Sequence, residues 1–123
     1  MTATSTDPAL RSALAAADAA DEKQATDVVV LHVGPVVGMC DYFVLASASN
    51  DRLVRAVVDA VEEGVFRATG ERPRSVEGAD ARRWVLLDYG DVVVHVFHQE
   101  EREYYRLERL YSDAPVVDRS AAS

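Results

Sequence analysis

The run "DVVVHVF", Asp91 to Phe97, is apolar and mostly β-branched at successive positions. Such a segment favours an extended backbone, and its alternating side chains leave both faces of the strand apolar. A strand of this kind needs cover on both sides, so it belongs in a sheet flanked by helices rather than one with a wet face. The rest of the chain has to supply those helices and the neighbouring strands.

It does so in a clear order. "TSTDPALRSALAAADAADEKQA" reads as a first helix, with Thr6 or Asp7 as cap, Pro8 in the first turn, and Leu10, Leu14 and Ala17 at helical spacing. Thr26 to Val33 is β-branched and closed by Gly34 and Pro35, which makes a first strand, and "DYFVLAS", Asp41 to Ser47, makes a second after the loop "GPVVGMC". Ser49 or Asn50 then caps a second helix. Leu53, Val57, Ala60 and Val61 line one face, Val54, Val58 and Val65 widen it, and Gly70 and Pro73 end it. A short strand "RSVEG" follows, then a hairpin of Arg83–Asp88 and Asp91–His98 around Tyr89-Gly90, then a last helix in "QEEREYYRLERLY" with Tyr104, Leu107 and Tyr111 in register. The expectation is an α/β domain of order αββαβββα with a mixed β-sheet, one domain over residues 1–123, ordered from about 8 to 115 and flexible at both ends.

Charge narrows the possible partners. Thirteen Lys and Arg against twenty-one Asp and Glu give a net charge of −8, which opposes the phosphate neutralisation on which nucleic-acid affinity rests. Direct nucleic-acid readout is therefore disfavoured. The one cysteine cannot form an intrachain disulfide, no apolar run approaches the roughly 20 residues of a membrane span, and no secretory pattern opens the chain. These features point to a cytoplasmic protein without a membrane role.

The hairpin gathers the chemistry-bearing residues. With Tyr89-Gly90 as the turn, Asp88 pairs with Asp91, Leu86 with Val93 and Trp84 with His95 on one face, while Val85, Leu87, Val92 and Val94 share the other. His95 and His98 then leave opposite faces and cannot chelate one ion, so no metal is expected. His95 reads as a packed histidine beside Trp84, and His98 as a polar strand end. Asp88 and Asp91 can form an acid/base pair, yet aspartates beside a glycine turn commonly accept backbone N–H bonds. Cys40 has only Asp41 beside it and no base to activate it. "ASASNDR" leads into a helix N-terminus but lacks glycine and a Walker lysine, so its polar residues read as caps. Tyr104 suits a core contact and Tyr105 a flank or interface position, without the basic residues that base stacking on RNA would want. The residues favour a protein partner. Aromatics rimmed by carboxylates anchor well on a basic protein surface, with Tyr89 expected to be exposed at the turn.

At this point the chain resembles a family. "DYFVLAS", "SVEG", "WVLLDYGDVVVHVF" and "YYRLERLYSDAP" are similar, in order and spacing over about Asp27 to Pro115, to the ribosomal silencing factor family RsfS, also called Iojap-related. The resemblance implies a nucleotidyltransferase-like fold without the catalytic carboxylates and a homodimer when free. It also implies binding to the large ribosomal subunit at a large-subunit ribosomal protein, L-fourteen, which blocks subunit association and represses translation when nutrients are scarce. By position it places the contact patch on Trp84, Asp88, Tyr89 and Asp91, with Glu77 and Tyr105 as weaker members. It implies no enzyme activity and no cofactor. Cys40 stands where the family commonly has threonine, and "LYSDAP" replaces a commoner Leu-Trp-Gly-Asp-Ala-Pro. A nucleotidyltransferase-like enzyme acting on nucleotides is the alternative, but such enzymes hold two metals with a carboxylate pair beside a Gly-Ser turn, which "LASASND" lacks.

Overall fold

The computed structural model describes residues 7–34, 38, 40–81, 83–105, 113–117 and 119, and the side chains of 103–105 are not among what it describes. Along the chain run α1 (Pro8–Glu22), β1 (Thr26–His32), β2 (Tyr42–Ala48), α2 (Asp51–Thr69), β3 (Ser75–Glu77), β4 (Trp84–Asp88), β5 (Val92–His98) and α3 (Gln99–Tyr105). This is the expected order, in a mixed sheet. The part of the last helix expected beyond Tyr105, with Leu107 and Tyr111, lies outside the described residues.

Local chemistry sets the two long helices. Asp7 caps α1 by accepting the N–H groups of Ala9 and Leu10 at 3.0 and 3.4 Å, with Pro8 in the first turn where its missing N–H costs nothing. Asn50 caps α2 by accepting the Leu53 N–H at 2.8 Å, and Gly70 ends it in the left-handed region. Both helices lie on one side of the sheet. Their apolar stripes, Leu10, Ala13 and Ala17 from α1 with Val54, Val57 and Val61 from α2, meet Val44 and Ala46 of β2, Val85 and Leu87 of β4, and Val94 and Val96 of β5. The small residues of α1 let the helices approach closely. A Cβ on Gly64 would lie 2.8 Å from the Cβ of Ala19.

The sheet runs β1-β2-β5-β4-β3, with β2 and β5 parallel and the other pairs antiparallel. At the β1 edge, Pro115 accepts the His32 N–H at 2.9 Å and the Val117 N–H donates to Val30 at 2.8 Å, so the C-terminal stretch continues the sheet. Arg119 reaches Asp21 on α1 at 2.6 Å.

The hairpin register corrects the sequence reading. Asp88 faces Val93, Leu86 faces His95 and Trp84 faces Phe97, a shift of two residues from the expected pairing. Gly90 and Asp91 form the turn, closed by the Tyr89 N–H donating to the Val92 carbonyl at 2.9 Å. Two causes select this turn. Gly90 takes φ +91°, which only glycine adopts without strain, and the Asp91 carbonyl is drawn away from β4 by the N–H groups of Asp41 and Tyr42 at 2.8 and 3.1 Å. A shift of two preserves side-chain parity, so the residues from Trp84 to Asp88 and from Val92 to His98 keep the faces assigned to them, while Asp91 moves into the turn and Tyr89 out of it.

Candidate protein-docking face

The sheet face turned away from α1 and α2 carries the candidate residues. From β4 come Trp84, Leu86 and Asp88, all half-buried, and from β5 come Val93, half-buried, and His95, buried. Pairing with β4 sets Glu77 of β3 opposite Leu86, on the same face and exposed. Asp91 is exposed at the turn. Toward the centre of the sheet this face closes into a second apolar cluster of Leu31, Phe43, Leu45, Phe97 and Ala114, with Trp84 and Val93 packed at its margin. The structure therefore puts Trp84, Asp88 and Glu77 on one face of the sheet, with Asp91 in the turn at its end.

Tyr89 is not with them. It is 8% exposed, belongs to the core between α2 and the sheet, and its hydroxyl has no hydrogen-bond partner among the described residues. Burial, with the nearby carboxylates of Glu62 and Glu71, pushes its phenol well above the ordinary tyrosine range. The expectation of an exposed anchor at position 89 is corrected: strand alternation runs on through the residue before the turn and aims it at the helix layer. The side chain of Tyr105 lies outside those described.

Trp84 is held from beneath. Its indole lies 5.0 Å from the Phe97 ring, and its Nε1–H donates to His95 Nδ1 at 3.1 Å. Burial lowers the His95 pKa to about 4, so the imidazole is neutral at ordinary pH and can accept that bond. His98 points the other way and accepts the Glu100 N–H through Nδ1 at 3.2 Å, as a polar strand end should. The two histidines do not converge.

At the turn, Asp88 Oδ1 accepts the Gly90 N–H at 2.7 Å, which is the structural use expected of an aspartate there. Its other oxygen and the Asp91 carboxylate supply the acidic rim, while the Arg74 guanidinium lies over Gly90 and offsets part of that charge. Cys40 lies close to the same end. Its thiol is pushed up by burial and then by Asp41, Asp88 and Asp91, which disfavours a thiolate nucleophile.

Sequence reading missed Arg102. It is buried at 7% exposure and donates through Nη1 to Ser47 Oγ at 2.9 Å, tying α3 to β2 on this face. Arg83, at the start of β4, pairs with Glu100 and Glu101 at 2.9 and 3.0 Å and ties the same helix to the strand that carries Trp84. An arginine in a polar helix gives no signal of burial when the serine that receives it lies 55 positions away.

Fold and face together define an α/β domain built on a mixed five-stranded sheet, with one side under two long helices and an aromatic, carboxylate-rimmed strip on the other. A family model described as ribosomal silencing factor during starvation, RsfS, matches residues 6–123. The chain belongs to this family, whose members are ribosomal silencing factors that regulate translation. It is 42% identical over 103 residues to ribosomal silencing factor RsfS of Bacillus subtilis, covering 84% of this chain and 86% of that protein. A crystal structure of a Chromobacterium violaceum protein superimposes with a TM-score of 0.74 at 29% identity, over 79% of this chain and 80% of that one. A mouse protein named mitochondrial assembly of ribosomal large subunit protein 1 is 31% identical over 93 residues, 74% of this chain and 41% of its own length.

Proposed function

We propose that the protein binds the large ribosomal subunit through the strip formed by Trp84, Asp88, Asp91 and Glu77, and that its bulk there blocks subunit association and so represses translation under nutrient limitation. The partner on the subunit is the large-subunit ribosomal protein L-fourteen, and the free protein is a homodimer. The action is steric occlusion, with no turnover and no cofactor. The observation that carries this reading is the half-buried Trp84 on the sheet face the long helices leave uncovered, with Asp88 further along the same strand and face and Asp91 exposed at the turn beyond it. A large aromatic supplies contact area at low entropic cost, and a carboxylate rim steers toward a basic protein rather than toward phosphates. Family membership, and the large subunit in the name of the mouse relative, support the same partner.

Sedimentation with purified subunits tests it. The protein should travel with the large subunit and not the small one, and should reduce the yield of joined ribosomes when added before mixing. Failure to travel with the large subunit removes the reading.

A further inference from the structure

We propose that His95 is the positioning residue for the Trp84 indole on this face, fixing the ring for docking from within the sheet without itself meeting the partner. This rests on the docking reading above and names the residue that prepares its anchor.

Two neighbours among the described residues, Phe97 and His95, bear on the ring. Phe97 supports the indole from below at 5.0 Å, and the His95 Nδ1 bond at 3.1 Å fixes the rotation of the ring about that support. His95 cannot drift, because it is 5% exposed, sits edge-on to Phe43 at 4.7 Å and lies parallel to Phe97 at 6.0 Å with 10° between the planes. An imidazole accepting at Nδ1 while neutral carries its proton on Nε2. That nitrogen is buried and has no hydrogen-bond partner among the described residues. Filling the site with a ring did not require histidine. A phenylalanine would occupy similar space among these aromatics without an unpaired buried N–H, whose desolvation is unfavourable. What the imidazole adds is an acceptor for the indole. A half-buried tryptophan already ordered in its bound orientation loses less side-chain freedom on association, and affinity rises accordingly.

Trp84 is the one tryptophan of the chain, so its indole N–H gives a single, assignable resonance in a proton–nitrogen spectrum. His95→Phe keeps a ring and removes the acceptor. In the folded variant the indole resonance should move, its hydrogen exchange should quicken about tenfold, and large-subunit binding should weaken about tenfold, since the bond from the indole N–H to His95 is lost. His95→Asn places an amide oxygen near the former Nδ1 and should restore much of both. A folded His95→Phe protein with wild-type indole resonance and wild-type binding overturns the assignment. Should the phenylalanine variant fail to fold, His95→Asn against His95→Leu decides: retention by asparagine and loss by leucine supports the role, and equal values in the two overturn it. Trp84→Ala separates this inference from the docking reading. Wild-type binding by Trp84→Ala overturns the docking reading itself, whereas a loss in Trp84→Ala with none in His95→Phe overturns the role of His95 alone.

Discussion

A Cβ on Gly78 would lie 2.2 Å from the carbonyl oxygen of Trp84. Gly78 leaves β3 with φ +83°, and its bare Cα lets the returning backbone pass close enough to begin β4 at Trp84. Both the sign of φ and the close approach exclude a side chain.

Gly78→Ala is therefore expected to destabilise by about 2–4 kcal/mol, the strained φ and a backbone clash adding together. Gly70→Ala provides the comparison. It has φ +80° with nothing within 4 Å of the added carbon, so only the strain applies and about 1 kcal/mol should be lost. Denaturant unfolding of the two variants measures the difference, and equal losses would show that the approach of Gly78 to Trp84 is not tight.

Tyr89 gives a second test, of opposite sign for two substitutions. Removing the unpartnered hydroxyl in Tyr89→Phe should leave stability unchanged or raise it by up to about 1–2 kcal/mol, because a buried group without a partner is relieved. Tyr89→Ala opens a cavity under α2 and should cost roughly 3–5 kcal/mol. A loss above about 1 kcal/mol in the phenylalanine variant would mean that the hydroxyl is bonded.

These two residues show what the sequence could convey. Caps and stripes are local, so Asp7, Pro8, Asn50 and the valines of α2 announced their helices, and period-two alternation correctly divided Trp84, Leu86 and Asp88 from Val85 and Leu87. Turn choice was not local. "DYGD" accommodates a turn at Tyr89-Gly90 or at Gly90-Asp91, and the bonds from Asp41 and Tyr42 that favour the second come from a strand some 50 positions earlier. With the turn displaced, Tyr89 joined the strand alternation and went inward. The burial of Tyr89 and Arg102 depends on which helix covers which face, and periodicity within one element does not specify that.

Acid should weaken the fold through His95. Its pKa falls from 6.5 to about 4 on burial, so the folded state disfavours the protonated ring. Above pH 6.5 the ring is neutral folded or unfolded, and its contribution is fully present. As pH falls from 6.5 toward 4 the unfolded chain takes up a proton that the folded chain refuses, and up to about 3 kcal/mol is lost. Comparing unfolding free energies of wild type and His95→Phe between pH 7 and 4 isolates this group from the carboxylates. The wild type should lose more stability than the variant over that window, and parallel curves would contradict a buried neutral imidazole.

The acidic rim should govern the rate of docking more than its final strength. Asp91 is exposed and Asp88 half-buried, so their charges act mainly through a field that salt screens over about 8–10 Å. Asp88→Asn alone can keep an oxygen for the Gly90 N–H, which makes it a charge test with little effect on the turn. Combined with Asp91→Asn it should slow association with large subunits by about tenfold at low ionic strength and flatten the dependence of that rate on salt, while dissociation changes little. Stopped-flow or surface-based kinetics across a salt series reads both quantities. An association rate and salt slope equal to those of the wild type would remove Asp88 and Asp91 from the steering surface and leave Trp84 to dock without an acidic rim.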